Sequence, residues 1–171
     1  YTWCIWEHTD DKKDYNANIS KICTFDTVED FWRCFHCIPT PSAFFTASKM
    51  QRELVGNRSV VSYSIFKEGI EPKWEDPKAR LGGEWRIRRF KNIDEVSFIW
   101  VETVLALIGG TMEPYDKILG VRVVDSSHTT KYLYNIEIWS SDMESLADIK
   151  NHINDSLPMI DPSKMYLRGH S

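Results

Sequence analysis

Along this chain, hydrophobic positions recur with strand period in some stretches and with helix period in others. "YTWCIW" (1–6) is strand-like, "EHTDDKKDYNANIS" (7–20) reads as a polar loop or excursion, and "KICTF" (21–25) returns as a strand. Asp26-Thr27 offers an N-cap for "VEDFWRCFHCI" (28–38), with Glu29 and Asp30 in the first turn, where the helix dipole favours acids; "PTP" (39–41) stops it. In residues 42–59, Phe45, Met50 and Leu54 recur loosely at helical spacing, which predicts a short amphipathic helix or an ordered excursion ending near Gly56-Asn57. Strands are predicted at 60–66 and 84–90, the second with Trp85 and Ile87 on one side and Arg86, Arg88 and Phe90 on the other. Asp94 caps a second helix to Ile108, ended by Gly109-Gly110. "ILGVRVVD" (118–125) and "KYLYNIEIW" (131–139) make a hairpin around "SSHTT". Asp142 caps a third helix with Met143, Leu146, Ile149, Ile153 and Leu157 on one stripe, and "KMYLRG" (164–169) is a last strand.

Antiparallel-type strands with three long helices define an α+β fold, a sheet with helices on one face. The other face and the strand-end loops are then free for a ligand. At 171 residues the chain reads as one domain spanning 1–171, large enough to bury a core without staples. No stretch approaches the ~18 apolar residues of a membrane span and no secretory signal is visible, although a chain that starts at Tyr1 says little about a leader; the expected location is cytoplasmic.

Composition changes the picture in two ways. Seven Trp, seven Tyr and eight Phe exceed ordinary core needs and offer stacking platforms or interface anchors. The formal net charge of −4 argues against gripping nucleic acid by its phosphates alone; such a ligand must be held locally, at a base or a terminus. Among four cysteines, "CFHC" (Cys34 to Cys37) resembles half of a zinc site. Cys4 and Cys23 are too far apart in sequence to complete it, which favours reduced thiols on a partly buried helix and no metal.

The helix at 94–108 carries too much apolar surface for one contact. Val96, Trp100, Thr103 and Leu107 form one stripe; Phe98, Val101, Leu105 and Ile108 form another, roughly opposite. Either both are core, or an exposed patch of Val28, Trp32, Val101 and Leu105, edged by Glu102, makes a groove for an amphipathic helix.

"EPKWEDP" (71–77) places Trp74 on a polar loop between two strands, with Glu75 and Asp76 directly after it. An indole face can stack on a purine, and the neighbouring carboxylate can accept from both N1–H and N2–H of guanine, a donor pair that adenine lacks. Methylation at N7 makes guanine cationic, and a second aromatic then adds cation–π attraction. The plainer alternative is a Trp lidding the sheet end beside a solvated Glu. A metal held by Glu71, Glu75 and Asp76 for pyrophosphate hydrolysis is a third reading. No nucleophile–base pair, Gly-rich phosphate loop or His-rich spacing supports it, so the chain reads as a binding protein without cofactor, not an enzyme.

"FDTVEDFW" (25–32), "SIFKEGIEPKWED" (64–76), "GGEWRI" (82–87) and "IWVETVLALIG" (99–109) resemble, in this order, the eukaryotic translation initiation factor 4E family, the mRNA cap-binding proteins. The resemblance runs from Trp3 to about Leu167. It implies a curved antiparallel β-sheet backed on its convex face by three long α-helices, and a 7-methylguanosine cap clamped between two aromatics. Trp74 falls on the second aromatic, Glu75 on the guanine-reading carboxylate, and ungapped counting puts Tyr15 on the first aromatic, where many members have Trp. The backbone N–H of Trp74 would meet O6. Val28, Trp32, Val101, Glu102 and Leu105 match the positions that receive a Tyr-x4-Leu-hydrophobic helix. Such a helix comes from a scaffold initiation factor of the 4G type or from a 4E-binding repressor.

Three departures accompany the likeness. The family's phosphate-clamping Arg and Lys give way to Ser126 and Asn135, leaving Lys131, Arg122, His128 or Arg168 as candidate phosphate contacts. Glu84 stands where many members have Arg. The segment around 42–59 is longer than usual by roughly a dozen residues, a length that is seldom idle. The implied function is cap binding and delivery of capped mRNA to a scaffold. The alternatives are a cap-binding repressor and an interaction module with weak cap affinity.

Overall fold

A computed structural model describes residues 1–10, 18–46, 51–52, 54–127 and 133–171. Seven strands form one antiparallel sheet: β1 (Trp3–Thr9), β2 (Ile19–Phe25), β5 (Val60–Lys67), β6 (Gly83–Ile87), β7 (Ile118–Asp125), β8 (Tyr134–Ser140) and β9 (Met165–Gly169), in the spatial order β2-β1-β5-β7-β8-β6-β9. Three long helices accompany it: α1 (Val28–Phe35), α3 (Ile93–Ile108) and α4 (Ser145–Ser156). This is the expected α+β architecture.

Alternation along each strand sorts the side chains onto two faces. Ile5, Tyr63, Ile65, Trp85, Ile87, Val121, Val123, Ile136 and Ile138 join Phe31 and Phe35 of α1, Val96, Trp100 and Leu107 of α3, and Leu146, Ile149 and Ile153 of α4 in one core. Each fully buried aliphatic side chain contributes about 1.5–3 kcal/mol, so this face carries most of the stabilisation. The other face turns Ser62, Glu84, Arg86, Arg122, Glu137 and Trp139 away from the helices. It is closed locally by a smaller cluster of Phe66, Ile70, Ala79, Leu119 and Trp139, against which Trp6 and Trp74 pack.

The helix starts follow local hydrogen bonding. Thr27 Oγ1 accepts from the Asp30 N–H at 3.2 Å, as the sequence predicts. At α3 the cap is Asn92, not Asp94: Asn92 is extended and its Oδ1 accepts from the Glu95 N–H at 2.9 Å, while Asp94 and Glu95 occupy the first turn. Asp142 does accept from the Ser145 N–H and Oγ, at 2.8 and 2.7 Å, ahead of α4. Met143 is exposed, so the α4 stripe begins at Leu146.

Three expectations need correction. The polar stretch 7–20 is partly strand, because Glu7 is drawn into β1 by Arg58 (2.6 Å) and by the Tyr63 hydroxyl (3.0 Å). Strand β6 ends at Ile87 instead of residue 90, since Arg89 adopts a φ of 61°, outside the β region. Of the two readings of residues 42–59, the described residues follow the ordered excursion and not a single amphipathic helix. A four-residue helix, α2 (Pro41–Phe44), passes directly into β3 (Phe45–Thr46), which pairs with β4 (Gln51–Arg52). Leu54 is exposed, and Val55 bridges Arg58 across a turn at Gly56. Met50, the middle member of the expected stripe, lies outside the described residues.

Candidate binding sites

The loop from 68 to 82, between β5 and β6, is held by its own polar groups. Asp76 Oδ2 accepts from the Glu71 N–H at 3.0 Å and Oδ1 from the Lys78 N–H at 2.9 Å, while Lys73 pairs with Glu71 at 2.5 Å. Asp76 thus shapes the loop, and Glu71 is engaged by Lys73. That arrangement gives a metal-hydrolase reading no ligand set, and among the described residues no group of three His, Cys, Asp or Glu side chains is placed to hold a metal. The Gly82-Gly83 pair lets β6 enter between β8 and β9, since a Cβ on Gly82 would strike the Ser140 carbonyl and one on Gly83 would lie 2.5 Å from the Arg168 carbonyl oxygen.

Within this frame Trp74 is half-buried and Glu75 exposed. Neither backbone N–H of this dipeptide is hydrogen-bonded among the described residues. Glu75 borders a cavity of about 570 Å³, together with Trp6, Lys21, Ile70, Glu71 and Lys73. The Trp74 ring has a flat cation on it: the Arg168 guanidinium carbon lies 3.9 Å from the ring centroid. The His170 ring lies nearly parallel to Trp74, 19° off with centroids 6.3 Å apart, and also packs on Trp139 at 4.4 Å.

Sequence reading missed His170. Its Nε2 meets Glu84 Oε2 at 2.9 Å and its Nδ1 meets the Ala79 carbonyl at 2.9 Å. The pairing of β6 with β9, Glu84 opposite Arg168, brings it there. No local motif carries that signal. Beneath the loop lies a buried charge lattice. Arg86 contacts Glu84 and lies 3.6 Å from Glu137; Arg122 lies 3.8 Å from Glu137 and donates to Ser62 Oγ at 2.9 Å; the Trp139 indole N–H donates to Glu137 at 3.0 Å. Burial opposes ionisation of Glu84, but the His170 hydrogen bond and the Arg86 charge outweigh it and hold its carboxyl below the usual range. Burial pushes Glu137 up against the pull of Arg122, and the Glu84 charge adds to the push. Burial, reinforced by the Arg122 charge, lowers His8 to about 4.

Of the candidate phosphate contacts, Arg122 is buried with its guanidinium spent on this lattice, and Arg168 is exposed. Tyr15, Lys131 and His128 lie outside the described residues.

On the helix-covered side, stripe Val96, Trp100, Thr103 and Leu107 is fully buried, while Val101, Glu102 and Leu105 are half-exposed and Phe98 is exposed. Val28 and Trp32 on α1 are exposed as well. Trp32, Phe35, Ile38, Pro39, Trp100 and Val101 line a groove of about 330 Å³. The first stripe of α3 is therefore core, and the second is only partly covered. The thiols are free: Cys37 donates its Sγ–H to the Arg33 carbonyl at 3.0 Å, and burial beside Cys34 pushes Cys23 up to about 12. Among the described residues no helix is long and apolar enough to cross a membrane.

The described residues thus form a helix-backed sheet with one open face, an aromatic–carboxylate loop at its end and an apolar groove on the helix side. The whole chain, residues 1–171, matches the family described as Eukaryotic initiation factor 4E. It is 35% identical over 147 residues to Eukaryotic translation initiation factor 4E of Bos taurus, covering 84% of this chain and 60% of that protein. The protein of the same name from Aplysia californica is 39% identical over 130 residues, covering 71% of this chain and 53% of its own length. Among solved structures, the chain is similar to initiation factor 4E-3 of Ascaris suum in complex with an m7G cap (TM-score 0.76, 26% identity, 99% of this chain and 89% of that one). It shares the fold of a schistosome factor 4E complexed with m7GpppG and 4E-BP (TM-score 0.75, 24% identity, 98% of this chain and 85% of that one). The chain belongs to the eukaryotic initiation factor 4E family. It spans 60% or less of the length of the bovine and Aplysia relatives.

Proposed function

We propose that this chain binds the 7-methylguanosine cap of mRNA at the 68–82 loop and bridges it to a scaffold initiation factor seated on α1 and α3. The observation that carries the reading is the dipeptide Trp74-Glu75: a half-buried indole and an exposed carboxylate with two uncommitted backbone N–H groups, Glu75 bordering a cavity of about 570 Å³. The N–H groups are donors for guanine O6, and Glu75 is the acceptor for N1–H and N2–H. Stacking contributes about 1–3 kcal/mol per base, and hydrogen bonds to a charged acceptor about 1.5–3 kcal/mol each. Tyr15 supplies the second aromatic, with a weaker cation–π term than Trp. Arg168 holds the cap phosphates, joined by Lys131 or His128, while Arg122 acts from beneath as part of the floor. The Ascaris and schistosome complexes with cap compounds support this assignment.

The groove beside Trp32 and Val101 receives the Tyr-x4-Leu-hydrophobic helix, with Val28 and Leu105 extending the apolar contact and Glu102 at its edge. The schistosome complex with 4E-BP supports a partner of this kind. The reading is of a binding factor, not an enzyme. One observation favours weak cap affinity: Arg168 already sits on Trp74, so an incoming base must displace it or use the opposite face. Retention on a 7-methyl-GTP resin, with elution by free 7-methyl-GTP and not by GTP, tests the cap site. A labelled Tyr-x4-Leu peptide tests the groove. Peptide binding without resin retention would leave the interaction module as the function.

A further inference from the structure

We infer that the β6–β9 edge of the open sheet face is a track for single-stranded RNA, seating the transcribed nucleotides that follow the cap; this rests on the cap reading above. Register defines the track. Glu84 lies opposite Arg168 and Arg86 opposite Tyr166, so Arg168 and Tyr166 stand on the same face as the buried lattice, and Arg88 follows two residues beyond Arg86. The Arg88 and Arg89 guanidiniums lie 5.8 and 5.3 Å from the Tyr166 ring centroid, and Arg88 donates to Asn135 Oδ1 at 2.9 Å. At about 3.4 Å per residue, the row runs some 14 Å from the Trp74 end of β6 to Arg88, a length of RNA beyond the cap itself.

Three features make this a nucleic-acid surface. In a chain of net charge −4, Arg88, Arg89 and Arg168 collect on one edge, and among the described residues none is ion-paired with a carboxylate. The lattice beneath balances Arg86 and Arg122 against Glu84 and Glu137, so it does not cancel the edge's charge. Arg88 and Arg89, within 6 Å of the Tyr166 ring centroid, group two cations with an aromatic ring, the combination by which single-strand binders hold backbone and base without sequence preference. Finally, Arg89 holds its place at a φ of 61°, a strained conformation for a residue with a Cβ, and such strain gathers at functional positions.

The test measures binding of 7-methyl-GTP, a capped pentanucleotide and the same pentanucleotide uncapped, over a range of salt, with wild type and with the Arg89→Gly/Tyr166→Ala double variant. Arg89→Gly alone relieves the backbone strain, so an unchanged or raised melting temperature for that variant reports an intact fold, and Tyr166→Phe keeps the platform. Wild type is expected to hold the capped pentanucleotide about tenfold more tightly than 7-methyl-GTP. The double variant should lose that advantage while its affinity for 7-methyl-GTP stays within about twofold, and each lost cation should make the salt slope shallower by about 0.7. An advantage that survives the double variant, equal losses for both capped ligands, or equal displacement by an acidic peptide such as oligoglutamate would overturn the track. If 7-methyl-GTP does not bind wild type at all, the cap reading fails by itself. The uncapped pentanucleotide then decides the track, which stands if the double variant weakens that binding and falls if it does not.

Discussion

The two faces of the sheet are buried to similar depth by opposite means. On the helix side, Ile65, Ile87, Val121 and Ile138 are buried in one apolar cluster, and stability comes from area removed from water. On the open side, Glu84 and Glu137 are as inaccessible as those isoleucines, yet they are carboxylates answered by Arg86, Arg122, His170 and the Trp139 indole. A buried ion pair adds little net stability relative to an apolar replacement, but losing one partner is costly. On the open face the lattice fixes Trp139 through Glu137 and His170 through Glu84, two rings beside the loop that carries Trp74.

The sharpest way to break the comparison is to damage each face in turn. Trp100→Ala, at a fully buried position on α3, should destabilise the protein by about 3–5 kcal/mol in denaturant unfolding while leaving the affinity of the folded fraction for 7-methyl-GTP unchanged. Glu84→Ala leaves Arg86 and His170 without their shared carboxylate. It should cost about 3 kcal/mol and weaken nucleotide binding too, because the group beside Trp74 loses its anchor. A stability loss without a binding loss would detach the lattice from the site.

A pH series separates the faces more finely. The His8 pKa is about 4 in the folded chain and its ordinary value is 6.5, so between those limits the unfolded chain binds more protons and stability falls as pH falls. Glu84 adds a second loss at lower pH: its contribution is complete above the ordinary carboxylate pKa and disappears as pH drops through its depressed folded value. Unfolding measured between about pH 6.5 and about pH 4 should show a slope that His8→Gln flattens. The smallest effect belongs to the groove. Trp32→Ala, 38% exposed, should change stability by no more than about 0.5 kcal/mol yet reduce binding of a Tyr-x4-Leu peptide about tenfold or more.

Legibility in the sequence follows the same division. The helix side was readable because its signals are local. The periods of 121–123 and 136–138, the Thr27 cap and the stripe from Leu146 to Leu157 each sit within a few residues. Trp74 and Glu75 were readable as chemistry, and the loop that presents them was bounded by prolines and glycines. The lattice was not, because its members come from β6, β7, β8 and the chain after β9 and meet only through register; His170 had no sequence mark at all. Alternation did hint at it, since Glu84, Arg86 and Glu137 interrupt otherwise apolar strands. The end of β6 was misjudged because nothing in "RIRRF" announces a left-handed backbone at Arg89. Asp94 was read as the cap that Asn92 in fact supplies, because both residue types cap well and only backbone geometry chooses between them.

The most direct measurement of the central claim is a tryptophan-fluorescence titration with 7-methyl-GTP and, separately, with GTP, on wild type, Trp74→Ala and Glu75→Ala. Quenching by the methylated nucleotide alone, reduced about tenfold or more in affinity by either substitution, is the predicted result. Equal and negligible quenching by both nucleotides, or methyl-specific binding that survives both substitutions, would contradict it.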